Sequence, residues 1–300
     1  MERPRLAGDG ITVVVPVYYG RQFLPTALES VRRQTTSLPV HLIVVEDGTP
    51  LGQRSRDIAE SFSAEYHLLS PNRGVAQARK IGADRSPFAS GFLAFLDQDD
   101  RWYPNFLDRM TQALAASSAG FVVCNMDMQE DTGRTYRLYQ TKRPSLRLAD
   151  LKMFNHIVSP SQVLMRLKAF RSVSWPPPLS HPGADDWALW LTLLSHGYAG
   201  LYLSDPLVAY LDHAGGAHRD FARLNASADS VVKDVFSLLH FSGWDARKYW
   251  ALATVNRALA MRHADRAKAA LALALALGKD FPAATAALWY RLQRRVKHLV

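Results

Sequence analysis

Three apolar runs constrain this chain more than anything else in it: "ITVVVPV" at 11–17, "VHLIVVEDG" at 40–48 and "GFLAFLDQDD" at 91–100. Each is continuous rather than alternating, and each closes on polar or acidic residues. A strand that is apolar at every position has to be covered on both faces, which leads to a parallel sheet between layers of helix. The intervening segments have helix length and spacing: "FLPTALESVRRQT" after the first run, and "NRGVAQARKIGADRS", with Asn72 as its cap, before the third. The expected class is α/β, a Rossmann-like, mostly parallel sheet flanked by helices.

In open α/β sheets, ligands bind beyond the carboxyl ends of the strands. Tyr18, Glu46, Asp47, Asp97 and Asp99 all fall just past such ends. Asp97 and Asp99 are two apart on an extended segment, so their side chains point the same way. That makes a hard-oxygen site suited to Mg²⁺ or Mn²⁺. A D-x-D alone is a weak signal, equally read as a solvated acidic turn; the apolar strand before it places these acids at the crevice. Asp100 is the spare, read as a cap for the turn into "RWYPNFLD". Arg73, Arg79 and Lys80 stand at or near a helix start, where backbone N–H groups favour a pyrophosphate; a basic surface helix is the plainer reading. Glu46 and Asp47 suit hydrogen bonds to a base or ribose, or simply a β-turn.

Beyond "FVVCNMDMQ", residues 130–150 are polar and read as a variable loop. The helix "DDWALWLTLLSHG" follows, with Trp187, Trp190, Leu191 and Leu194 on a buried face and Gly197 at its C-terminal end. Asp185 and Asp186 open it, either as cap and dipole partners or with one of them as a general base. From about residue 217 the pattern is wholly helical, with Phe221, Leu224, Ala228, Val231, Val235 and Leu239 in helical register. The expected organisation is a catalytic region over 1–215 and a helical region over 216–300.

A net charge of +9 over 300 residues draws anions: nucleic acid, phosphorylated small molecules or anionic lipid. Acids rather than bases line the expected crevice, which argues against nucleic acid. The basic tail "RLQRRVKHLV", with Leu292, Val296 and Leu299 spaced as on a helix face, fits docking on an anionic membrane surface, though a solvated helix is the plainer reading. A single cysteine, Cys124, rules out an internal disulfide and fits a reducing compartment. "MERPRLAGDG" lacks the apolar core of a signal peptide, and "AALALALALG" is short of the roughly 20 residues a membrane span takes. A cytoplasmic protein is expected, soluble or peripheral at the inner face of the membrane. There is no H-E-x-x-H, C-x-x-C, Walker loop or G-x-G-x-x-G.

Taken in order, "VVVPVYYGRQFLPTALESVRRQT", "LIVVEDGTP", "NRGVAQARKIGA", "FLDQDDRWYPNFL" and "ADDWALWLTLLSHGY" resemble glycosyltransferase family 2, the inverting, nucleotide-sugar-dependent enzymes of GT-A fold. The resemblance covers about residues 10–215. It implies that Pro16, Val17 and Tyr18 border the nucleotide base, with Glu46 and Asp47 near uracil or ribose and Gln98 among the nucleotide contacts. Arg73 or Arg79 would face the diphosphate. Asp97 and Asp99 match the metal-binding D-x-D, and His213, after the last core strand, would join them on Mn²⁺ or Mg²⁺. Asp186 falls on the catalytic base, with Asp185 and Trp187 on the acceptor side. The implied donor is a nucleotide sugar, UDP-linked, and the implied acceptor a glycan or lipid-linked hydroxyl in envelope polysaccharide synthesis. Glu46 departs from a usual Asp, Tyr19 and Lys80 from common Asn, Asp185 from a frequent Glu, and Leu211 from a frequent Arg. A non-catalytic sugar-binding module would be expected to lose Asp97, Asp99 or Asp186. A sugar nucleotidyltransferase would carry a glycine-rich basic loop after the first strand.

Overall fold

A computed structural model describes residues 6–140, 144–213, 215, 216 and 219–261, together with 270, 274, 278, 280–286 and 288. The basic segment 289–300, with the membrane docking expected of it, lies outside the described residues.

The first half alternates strand and helix as its apolar runs require. β1 (Leu6–Val17), α1 (Leu24–Arg32), β2 (Val40–Asp47), α2 (Arg56–Ser61), β3 (Glu65–Leu69), α3 (Val75–Asp84) and β4 (Phe88–Phe95) follow in order. The strands pair in parallel as β3-β2-β1-β4. β3 was not expected: "EYHLL" has no β-branched residue and begins on a charge, so propensity is silent and pairing with β2 makes it a strand.

The second half adds short antiparallel pairings to a sheet that stays parallel over most of its register. β5 (Arg101–Trp102), α4 (Phe106–Ala115), β6 (Phe121–Glu130), β7 (Thr135–Arg137), α5 (Leu148–Leu151), β8 (Val163–Arg166), α6 (Leu167–Ser172), α7 (Asp185–Ser195) and β9 (Gly200–Asp212) complete it. β8 runs antiparallel between β4 and β6, while β6 and β9 are parallel. The stretch 130–150, expected as loop, holds the return strand β7, which pairs with β6, and the short α5.

Alternation along β1 sorts the core into two layers. Val13, Val15 and Val17 meet α1, α2 and α4 through Leu28, Ala59 and Met110. Val14 faces the other way, into a cluster with α3, α5, α6 and α7. Helices α8 (Phe221–Asp234) and α9 (Gly243–Met261) lie on that same side, contributing Val231, Val232 and Tyr249 to the cluster. The start of α8 does not join the core: Phe221 and Leu224, expected in register with the buried positions, are exposed. α7 is buried nearly all round rather than on one stripe, from Trp187 through Leu193, and Gly197 follows its cap residue with φ +84°.

α3 approaches β1 so closely that a Cβ on Gly82 would stand 2.3 Å from Val14 Cγ1. Both positions are fixed, since Val14 is β-branched and wholly buried. Gly82→Ala is expected to lower unfolding free energy by about 1–3 kcal/mol. Gly82→Ala with Val14→Ala should cost less than the sum of the two single changes, as read by urea denaturation.

Candidate active site

The acids collect where the parallel strands stop, and each of the three in "DQDD" is accommodated differently. Asp97 accepts from Arg79 Nη2 at 2.6 Å, and its own N–H donates to Ser161 Oγ at 3.0 Å. Asp99 Oδ2 meets His213 Nε2 at 2.9 Å. Asp100 is buried and accepts from Ser159 Oγ at 2.9 Å. Burial pushes its carboxyl well above the usual range, and the charges of Asp97 and Asp99 push it further. The crowding is thus relieved by a guanidinium, an imidazole and a carboxyl biased toward its neutral form. Asp100 is not the expected turn cap; its side chain points inward to the serine.

Arg79, the fifth residue of α3, was expected on a diphosphate. Instead it is 6% exposed, with Nη1 donating to Asp185 Oδ2 at 2.9 Å and Nη2 to Asp97. Burial works against its charge, but Asp97, Asp185 and Asp186 outweigh that and hold its pKa above the ordinary value. The two acceptor-side candidates are also interior. Asp185 is buried on Arg79, and Trp187 is a core ring whose Nε1 donates to Leu151 O at 2.8 Å. Their neighbour Asp186 is only partly buried, with Asn155 Nδ2 3.5 Å from its Oδ2. Burial, then the charge of Asp185, raise its carboxyl to about 7 against the lowering pull of Arg79.

At the β1 end, Pro16 and Val17 are buried within the strand, while Tyr18 and Tyr19 are 50% and 48% exposed. Gln98 clasps the Tyr18 backbone from both sides: its Oε1 accepts from Tyr18 N and its Nε2 donates to Tyr18 O. Glu46 and Asp47, expected at a base or ribose, are turned inward. Glu46 is fully buried and accepts from Ser55 N at 2.8 Å, ahead of α2. Asp47 shapes the loop after β3: Oδ1 accepts from Arg73 N, and its carbonyl accepts from Asn72 Nδ2. Gly48, at φ +78°, permits this, since a Cβ there would lie 2.5 Å from Asn72 N. The cap of α3 is Gly74 rather than Asn72, whose side chain is committed to the loop. Arg73 keeps an exposed side chain beside it.

Among the described residues no group of three or more His, Cys, Asp or Glu is arranged to hold a metal ion. Asp99 offers a hard carboxylate oxygen of the kind that suits Mn²⁺ or Mg²⁺, with remaining positions open to water or phosphate, and His213 stands beside it as a nitrogen neighbour. Asp97, expected as a second carboxylate ligand, is taken up by Arg79.

A buried polar cluster that the residue patterns had not marked orients these acids. Ser159 and Gln162 form a reciprocal capping box around the 3₁₀ turn Pro160–Gln162, and Gln162 Nε2 donates to Cys124 O. The signal was present as "SPSQ" before the apolar "VLM", an S-x-x-Q box.

A family model described as Glycosyl transferase family 2 matches residues 12–174. The chain is 31% identical over 130 residues to the putative glycosyltransferase EpsH of Bacillus subtilis, covering 42% of this chain and 36% of EpsH, so it matches little more than a third of that relative. It is 24% identical over 205 residues to the putative teichuronic acid biosynthesis glycosyltransferase TuaG of Bacillus subtilis, covering 67% and 78%. Its fold is similar to that of S. aureus TarS 1-349 in complex with UDP-GlcNAc, with TM-score 0.59, 16% identity and coverage of 95% and 92%. GalNAc-T7 with UDP, GalNAc and Mn²⁺ gives TM-score 0.60 at 12% identity, covering 82% and 51%. At such identities the likeness speaks for the GT-A fold.

Glu46→Ala leaves the buried Ser55 N–H without its acceptor. It should lower unfolding free energy by about 1–3 kcal/mol in urea denaturation.

Proposed function

The chain belongs to glycosyl transferase family 2, and from that premise we propose that it is an inverting transferase moving a sugar from a UDP-linked donor to an acceptor hydroxyl. The observation that carries this reading is the meeting, at the carboxyl ends of β1, β2 and β4, of two acid sites: the Asp99–His213 pair and, across Arg79, the Asp185–Asp186 pair. Two such sites are what a single displacement needs, one beneath the leaving diphosphate and one on the attacking hydroxyl.

Asp186 is the proposed general base. Its carboxyl, raised to about 7, changes protonation where the cell operates, the condition under which a base both exists as carboxylate and holds a proton well. Tyr18 and Tyr19 offer exposed rings to the nucleotide base, their backbones held by Gln98 and Thr49 respectively, and Arg73 is the exposed cation for the diphosphate. Asp99 and His213 would hold Mn²⁺ or Mg²⁺, whose chemistry when bound is to offset charge on the departing nucleoside diphosphate. UDP in the complexes of TarS and GalNAc-T7, and Mn²⁺ in the latter, support the donor and metal assigned here. The relation to TuaG supports an acceptor in envelope polysaccharide, glycan or lipid-linked, and α8 and α9 support reading residues 216–300 as a helical region appended to the catalytic one. The basic 288–300 segment would then dock the enzyme at the inner membrane face. Liposome sedimentation independent of Arg291, Arg294, Arg295 and Lys297 would remove that part.

A screen of nucleotide sugars for Mn²⁺-dependent hydrolysis and thermal stabilisation tests the reading, with Asp99→Ala expected to lose both responses. Asp186→Asn should lower kcat by about 10²- to 10⁴-fold with the fold intact, and near-normal transfer would sink the base assignment. Because Asp186 works only as the carboxylate and its pKa is raised, transfer should climb as pH rises through about 7.

A further inference from the structure

We propose that Arg79 is a positioning residue for transfer: one guanidinium spans the acids at the end of β4 and those at the start of α7, and fixes the two sites relative to each other. The inference rests on Asp186 being the base.

Three observations converge on it. Nη2 and Nη1 reach Asp97 and Asp185, residues 18 and 106 positions away, so the contact joins separate parts of the chain. Arg79 and Asp185 sit in the interior, where such a pair is little screened, while Asp97 is partly exposed at 27%. The backbone beneath the clamp is held too, because Gly82 seats α3 directly on Val14 of β1. A guanidinium committed in two directions presents no fork to a diphosphate, and a lysine at this place would lack the rigid planar fork that fixes both carboxylates at once. The groups facing Asp186 are Asp185 on its own helix, Arg79 from α3 and Asp97 from the β4 end. Only Arg79 among them is positive.

The test uses the full chain without ligand, following the Asp186 carboxyl by carbon-detected NMR. Arg79→Gln should move its titration upward by about one pH unit or more, and the acid limb of transfer should move with it. Arg79→Lys should keep the titration near the parent value while kcat falls. UDP affinity, measured calorimetrically with Mn²⁺, should change little in either variant. An unmoved titration in Arg79→Gln, or UDP affinity falling by about tenfold or more with the pH profile in place, overturns the proposal in favour of a diphosphate contact. If Arg79→Gln does not fold, Asp185→Asn removes one arm of the clamp and one like charge; the Asp186 titration should then move down and kcat should fall, and no movement overturns the idea. Should the parent chain transfer no sugar while Arg79→Gln still shifts Asp186 as stated, the base assignment fails and the clamp stands.

Discussion

The buried fork of Arg79 is the contact on which the arrangement of acids depends. Asp97 and Asp185 reach the same side chain from the end of a strand and the start of a helix, and Asp186 lies within its field. Of the two contacts, Arg79–Asp185 is buried on both sides, and removing one member of such a pair costs about 3–5 kcal/mol, because the partner is left charged and dry. That magnitude is comparable to a large part of a domain's net stability. The site and the fold are therefore not separable here: the same ion pairs that aim the acids also help hold α3, α7 and the sheet in register.

Around that contact, each remaining charge is given a separate answer. Asp99 faces His213, Asp100 is pushed toward its neutral form among serines, and Asp186 sits between burial and the pull of the arginine. The serine and glutamine side chains of the 3₁₀ turn contribute geometry without charge, receiving the Asp97 N–H and holding the Cys124 carbonyl. Two aromatic rings at the end of β1 remain half uncovered, packed edge to face on each other, with the Tyr18 backbone held by Gln98 and the Tyr19 N–H by Thr49.

The strand runs and the helix-start acids were legible because burial on both faces writes itself into composition, and because acids past a strand end are unusual enough to notice. Direction of side chains was not legible. Glu46 and Asp47 stand at the right strand end, yet one turns under Ser55 and the other into the loop after β3, a choice made by a helix start and a glycine at positive φ. Arg79 looked like a cation for an anion in solution; its partner Asp185 lies 106 positions away, beyond any local pattern. Trp187 and Trp190 read as one face of an amphipathic helix, whereas packing that includes α8 and α9 buries every position from Trp187 to Leu193. β3 escaped because its strand character comes from its neighbour and not from its own residues.

That enclosure of α7 has a consequence for how such an enzyme can diversify. A helix buried along most of its length is hard to retune from the surface: moving Asp186 means repacking Trp187, Trp190 and the strands beneath them, and close-packed interiors resist that. The position of Asp186 is in effect inherited from the core. Variation in what is accepted falls to what the core does not grip, and the segment around Asn155, which touches Asp186 and exposes Phe154 and Val158, is such a place.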